Sequence, residues 1–239
     1  GRRPGGGTAV SPTRITETHE QARAADEDDE VRCSVITGAP PAFCAGADLK
    51  AKRGQNSGER VVPYPQLLTR IQDNPKPVIA AVNGVAMVGG FEIALACDLI
   101  IASDRAVFAL PEPRVGLAAL AGGVHRLPRQ IGLKQALGMI LTGRRVSAAE
   151  GQQLGFVNEV VPHEDLMTGA RRWAEQILEC APLSVRSSKQ AVLQGLEHAG
   201  LEDAARAKYD LLTAMVASED FVEGPRAFAE KRKPNWKGR

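Results

Sequence analysis

Val78-Ile-Ala-Ala-Val-Asn-Gly-Val-Ala-Met-Val-Gly-Gly-Phe-Glu92 is the stretch that decides the fold. It opens on an apolar run, Val78–Val82, with the length and β-branched content of a buried strand. Glycines 84, 89 and 90 predict a turn, and Phe91–Ala96 begins a helix. A strand that enters a helix through a glycine turn leaves helix-start N–H groups unpaired and partially positive. Donors of that kind suit a developing oxyanion. Glu92 falls in the first helical turn beside them, where the dipole favours a carboxylate and therefore a base. The alternative is a glutamate that only complements the dipole, with glycines that only permit close packing.

Upstream, Ser34-Val-Ile-Thr37 reads as a second buried strand, ended by Gly38, Pro40 and Pro41. The turn Cys44-Ala-Gly-Ala-Asp48 follows it, offering the Ala47 N–H as a second donor and Asp48 as a cap for the next helix. Such a turn is equally a structural element. Two of them after neighbouring strands point to a site, because ligands gather at the carboxyl ends of strands in α/β sheets. Downstream, Leu110-Pro-Glu112-Pro-Arg-Val-Gly116 holds a glutamate between two prolines, which stiffen the backbone. Beside Leu110, Val115 and Leu117, a desolvated Glu112 has a raised pKa and suits an acid or a proton shuttle. The alternative is an exposed turn glutamate. Two carboxylates are the minimum equipment for moving protons to and from a substrate.

The remaining pattern is α/β with parallel strands. Residues 12–27 form a polar helix and Pro63–Asp73 another, broken at Asn74-Pro75. Asp98–Ala102 and Ala106–Ala109 are short strands. From Gly122 the chain is mostly helical, interrupted by a strand at Val157–Val161. Ser147-Ala-Ala-Glu150 has the form of a capping box, and Gly155 is a helix stop. Helices are expected over 164–180, 183–197 and 200–218. A short helix and a basic, proline-broken tail then fill 223–236. Residues 1–165 read as the core and 166–239 as a helical region for subunit contact.

The chain has 239 residues and a net charge of +2, which gives no electrostatic case for nucleic acid or a membrane surface. No apolar run approaches the ~20 residues of a membrane helix, and no secretory signal is visible. Four scattered cysteines without a CxxC pair suit reduced thiols, so a cytoplasmic protein is expected. Histidines 19, 125, 163 and 198 lack metal-ligand spacing, and no metal site is expected. His125, the one nearest the two glutamates in sequence, reads as a surface or packing residue. Phosphate-loop, GxGxxG and GxSxG motifs are absent.

Taken together, Val78-Ile-Ala-Ala-Val-Asn-Gly…Gly-Gly-Phe-Glu-Ile-Ala-Leu-Ala-Cys-Asp98, Phe43-Cys-Ala-Gly-Ala-Asp-Leu49, Leu141-Thr-Gly-Arg…Gly155-Phe-Val-Asn-Glu-Val-Val161 and Phe228-Ala-Glu-Lys-Arg-Lys-Pro-Asn-Trp236 resemble the crotonase (enoyl-CoA hydratase/isomerase) superfamily. The match runs from about residue 31 to the tail. It implies a ββα spiral core with a C-terminal helical trimerisation region, the family's N-terminal hairpin being missing. Arg2-Arg-Pro-Gly-Gly-Gly-Thr-Ala9 stands as a degraded form of the family's CoA-binding loop. The implied partners are an acyl-CoA thioester substrate and further copies of the chain in a homotrimer or hexamer. No cofactor is implied beyond the coenzyme A of the substrate.

By the same resemblance, the N–H groups of Ala47 and Gly89 form an oxyanion hole for the thioester carbonyl. Glu92 activates water, and Glu112 delivers a proton to Cα. Ala45, Asp48, Leu49, Lys50 and Gly90 are expected to contact substrate around the two turns. Pro111, Gly116 and Leu120 are expected to do so beside Glu112, and Phe228 and Lys231 (with Lys233) from the tail. Side chains of 51–61 line the acyl pocket in relatives, and that region leaves the acyl group open.

Two positions depart from the family. Dienoyl-CoA isomerases carry aspartate where this chain has Leu120. Typical hydratases carry Pro-Gly at Ala119-Leu120, so a drier, narrower water site is expected. Hydration of a 2-enoyl-CoA is the main expectation. The alternatives are isomerisation, with Glu112 shuttling one proton, and a catalytically weak relative that serves as an interaction or RNA-binding subunit.

Overall fold

The computed structural model describes residues 12–46 and 63–239. The lead-in expected at residues 1–9 and the acyl-pocket segment 51–61 lie outside these. In chain order the elements begin with α1 (Pro12–Glu27), β1 (Ser34–Thr37), β2 (Ala42–Cys44), α2 (Tyr64–Gln72), β3 (Val78–Val82), β4 (Val85–Met87) and α3 (Gly89–Ala96). There follow β5 (Leu99–Ser103), β6 (Val107–Ala109), a 3-10 turn at Glu112–Val115, α4 (Gly123–Gln130), α5 (Leu133–Thr142), β7 (Val146–Ser147), α6 (Ala148–Leu154) and β8 (Glu159–Val161). The helices α7 (Leu166–Leu178), α8 (Pro182–Gly195), α9 (Leu201–Arg206), α10 (Asp210–Val216) and α11 (Glu219–Ala229) complete the chain.

The strands form two four-stranded sheets, ordered β1-β3-β5-β8 and β2-β4-β6-β7. From β1 to β6 the chain alternates between the sheets, one strand in each, which is the ββα spiral expected of the fold. The pairs β3–β5, β5–β8, β2–β4 and β4–β6 are parallel, whereas β6–β7 is antiparallel. Three strands of the second sheet, β2, β4 and β7, escape the sequence reading. At two or three residues each, they are too short to show alternation. Pairing to neighbours, parallel for β2 and β4 and antiparallel for β7, rather than local propensity, makes them strands.

Helix α3 is buried along its whole length because it is apolar all round apart from Glu92. Its Phe91 meets Phe108 of β6 and Phe156 at centroid distances of 5.2 and 5.1 Å, and Phe108 meets Phe156 at 5.2 Å. This aromatic triangle ties α3 to the second sheet. The start of α6 is capped as its sequence predicts, the Ser147 hydroxyl accepting from the Glu150 N–H at 3.2 Å. The Glu150 carboxylate does not close the box but pairs with Arg144 at 2.6 Å. Ser147→Ala is expected to lower stability by about 1 kcal/mol, read as a reduced denaturation midpoint at unchanged m-value.

Compact packing divides the chain into two units. One comprises 1–28, 35–74 and 78–171; the other comprises 29–34, 75–77 and 172–239. In the second unit the expected single helix over 200–218 is two, α9 and α10. Tyr209 breaks it: its ring is buried, its hydroxyl donates to the Ala204 carbonyl at 2.6 Å, and Gln190 of α8 accepts from the Leu211 N–H at 2.9 Å. The tail is bound within the same unit. Buried Asp220 accepts from the N–H groups of Lys237 and Gly238, and the Trp236 indole donates to the Glu179 carbonyl.

Candidate active site

Three strands of the second sheet end side by side, and each hands the chain to a candidate site segment. Strand β2 runs into Ala45-Gly46, β4 into Val88-Gly89, and β6 into Leu110-Pro111-Glu112. The registers Cys44↔Ala86 and Met87↔Ala109, with the Val88 N–H donating to the Ala109 carbonyl at 3.1 Å, hold these ends together. The first glycine turn therefore follows β2, not β1 as the sequence suggested, and the second follows β4, not β3. Val88 adopts φ 55°, a strained conformation for a β-branched residue, and Gly46 adopts φ 95°. A Cβ on Gly46 would lie 2.7 Å from the Val88 Cβ, so the two turns pack directly on one another.

The Gly89 N–H donates to no acceptor among the described residues. The Gly89 carbonyl accepts from the Tyr64 hydroxyl, which comes from the start of α2. Ala47, Asp48, Leu49 and Lys50 lie outside the described residues. Gly90 is buried and Ala45 half-buried. Pro111 leads into the 3-10 turn that Glu112 opens, and Gly116 closes that turn in the left-handed region at φ 74°.

Glu92 and Glu112 are 3% and 4% exposed, so the exposed-turn reading of Glu112 is wrong. Tertiary packing, invisible in the local sequence, buries it: the turn that Glu112 opens lies against α5. Neither oxygen of Glu112 has a hydrogen-bond partner among the described residues, and burial raises its pKa above the ordinary carboxylate value. Glu92 also titrates high, chiefly through burial. The dipole argument suggested the opposite direction, but desolvation outweighs it. The Gly123 N–H, donating to Glu92 Oε1 at 2.9 Å, opposes the rise. The Glu112 charge adds to it, whereas Arg126 and the Ala121 N–H oppose it. The two carboxyl groups thus lie within electrostatic reach of each other, one held by a backbone donor and one without a hydrogen-bond partner among the described residues.

Of the Ala119-Leu120 pair, Ala119 is buried and Leu120 is 75% exposed, so only Ala119 belongs to the interior around the glutamates. Phe228 is 87% exposed and Lys231 and Lys233 are exposed, all three in the second compact unit. His125 is exposed, in keeping with a surface role. Sequence reasoning missed Tyr64, Gly123 and Arg126. The Gly122-Gly123 pair ahead of α4 was a signal for a backbone donor. Tyr64 and Arg126 carried none, because only tertiary packing brings them to the glutamates.

The chain is similar to known proteins in sequence and in fold. Residues 2–239 match the family model described as enoyl-CoA hydratase/isomerase. Carnitinyl-CoA dehydratase of Proteus mirabilis (strain HI4320) is 43% identical over 229 residues, covering 89% of this chain and 84% of the relative. That of Citrobacter koseri is 41% identical over 225 residues, with the same coverage of 89% and 84%. Among solved structures, enoyl-CoA hydratase from Bacillus anthracis superposes with a TM-score of 0.89 at 35% identity, covering 97% of this chain and 91% of that one. Enoyl-CoA hydratase from Mycobacterium tuberculosis H37Rv gives 0.88 at 34% identity, covering 97% and 90%. With its two alternating sheets and buried glutamate pair, the chain belongs to the enoyl-CoA hydratase/isomerase family, within the crotonase superfamily.

Proposed function

We propose that this chain is a hydro-lyase acting on acyl-CoA thioesters, interconverting a 2-enoyl-CoA and water with a 3-hydroxyacyl-CoA. The observation that carries the reading is the pair of buried glutamates held in unlike environments. Groups whose surroundings separate their proton affinities can take opposite roles in one reaction. Glu92, with a backbone donor and Arg126 favouring its anion, serves as base. Glu112, buried without a partner among the described residues, carries the proton.

In the hydration direction the thioester oxygen is held by the N–H groups of Gly89 and Ala47. Glu92 takes a proton from water as the water oxygen bonds to Cβ. The π electrons of the C=C bond move toward the thioester, giving an enolate on the held oxygen. Collapse of the enolate takes the Glu112 proton onto Cα, and proton exchange between the neighbouring carboxyl groups resets the pair. Dehydration runs the same steps in reverse. In the same reading the chain works in the cytoplasm as a homotrimer or a pair of trimers, with no cofactor beyond the coenzyme A of its substrate. Glu112, without a hydrogen-bond partner among the described residues, also suits a second reading, enoyl-CoA isomerisation, in which it alone shuttles the proton.

The test is loss of the conjugated thioester absorbance with short, medium and cyclic 2-enoyl-CoA esters. Carnitinyl-CoA, suggested by the names of the relatives, is offered in the reverse direction. Hydration of any ester, or dehydration of carnitinyl-CoA, is the expected result; a folded, CoA-binding protein inactive on all of them overturns the reading. Glu92→Gln is expected to cost about 10²–10⁴ in kcat, since it removes one proton-transfer role. Near-normal turnover in that variant, with Glu112→Gln inactive, favours isomerisation.

A further inference from the structure

We propose that Arg126 is a positioning residue for Glu92: it clamps the 121–123 loop whose backbone holds the Glu92 carboxylate. The proposal rests on the hydratase reading of Glu92 only for its kinetic consequences, because the clamp itself is a matter of geometry.

Arg126 lies on α4, one turn beyond the loop it grips. Its Nη1 donates to the Ala121 carbonyl at 3.1 Å, and its Nε donates to the Gln72 side-chain oxygen at 2.8 Å. Gln72 is the last residue of α2, so the guanidinium bridges the end of one helix to the loop before another. The fit is close: a Cβ on Gly122 would lie 1.8 Å from Nη1 and push the guanidinium aside, and the backbone at Gly122, with φ 122°, itself calls for glycine. The clamped loop presents the Gly123 N–H to Glu92 Oε1 at 2.9 Å. A guanidinium fork fixes two acceptors in one plane, which a flexible ammonium does not. Releasing the Ala121 carbonyl lets the loop, and with it the donor that aims Glu92, move.

Charge acts in the same direction. Burial pulls the Arg126 pKa down, and Glu92 is the first of the groups that oppose this, followed by Asp73, Tyr64 and Cys97. Glu92 in turn faces Glu112, whose charge disfavours its anion, and Arg126, whose charge favours it. Tyr64 faces both glutamates. Arg126 is the one cation among these groups, so removing it leaves burial and Glu112 acting on Glu92 against backbone donors alone.

The experiment compares wild type, Arg126→Gln and Arg126→Lys. One readout is kcat and KM against pH; the other is carboxyl 13C NMR titration of Glu92 in the ligand-free protein. Arg126→Gln is expected to lower kcat about 10- to 100-fold with KM changed less than about threefold, the mark of a transition-state rather than a binding effect. Its Glu92 titration, and the acid limb of its rate profile, move to higher pH by about one unit. Arg126→Lys restores the titration midpoint but only part of kcat, because it returns the charge without the fork. Should Arg126→Gln fail to fold, Gln72→Met frees the guanidinium Nε and keeps the charge; a several-fold fall in kcat with an unmoved Glu92 midpoint is then expected.

An unmoved Glu92 midpoint in folded Arg126→Gln overturns the proposal, as does a loss confined to KM. So does unchanged kcat in Gln72→Met if that variant must stand in. A Glu92 midpoint raised in Arg126→Gln, beside a wild-type chain that hydrates nothing, supports the clamp while the hydratase reading falls, so the two failures are distinguishable.

Discussion

Glu112→Gln is expected to lower kcat by about three orders of magnitude while thioester binding survives. An amide of nearly the same shape fills the Glu112 site, so packing against its neighbours is kept. What is lost is the proton that Cα must receive. The environment makes Glu112 a good holder of that proton: burial raises its pKa, opposed only by its own backbone N–H, and neither oxygen meets a hydrogen-bond partner among the described residues. A fall in kcat with binding of a saturated acyl-CoA maintained is the supporting result. A fall confined to binding would instead make Glu112 a substrate contact.

The same substitution has a stability signature. A carboxyl whose folded pKa lies above the ordinary 4.5 binds its proton more tightly in the folded chain than in the unfolded one. The stability tied to that proton is complete below the unfolded value and is lost as pH rises through the raised folded value. The Tm of Glu112→Gln relative to wild type is therefore expected to increase as pH rises from the ordinary carboxylate value through the raised folded value, because the variant has no buried charge to form. A pH-independent difference would mean that Glu112 is not desolvated. More stability and less activity from one change is the usual trade at a site built for chemistry.

Gly90→Ala is expected to destabilise the chain by at least about 3 kcal/mol and to abolish turnover. A Cβ at this position would lie 2.0 Å from the Cys44 carbonyl oxygen and 2.6 Å from the Cys44 carbonyl carbon. Both are backbone atoms at the end of β2, so no rotamer change relieves the collision. Either α3 retreats from β2 or the β2–β4 pairing opens, and each of those separates the two glycine turns. A denaturation midpoint equal to that of wild type would show that the start of α3 does not press on the Cys44 carbonyl.

Legibility from sequence followed the range of each interaction. The capped start of α6 and its glycine stop were readable because a cap needs residues three or four positions apart. Strands β1, β3, β5 and β6 were readable because each is an apolar run bounded by breakers. Strands β2, β4 and β7 were not, since partners far along the chain make them strands. The break at Tyr209 was hidden for the same reason: no glycine or proline marks it, and its cause is a buried ring and a bond to Gln190 of α8.

The site divides along the same line. Glu92, Glu112 and Gly89 could be singled out from residue type and local surroundings, because carboxylates and glycine turns carry their chemistry with them. The alternation of strand and helix that places such turns at strand ends was likewise written in the local pattern. Packing between distant segments makes the turns after β2 and β4 touch, buries Glu112, and leaves Leu120 outside while Ala119 goes in. It alone brought Tyr64 to the Gly89 carbonyl and Arg126 to the loop that holds Glu92. Burial and electrostatic coupling depend on what surrounds a group in space, and the surroundings of these residues come from segments tens of positions away in the chain.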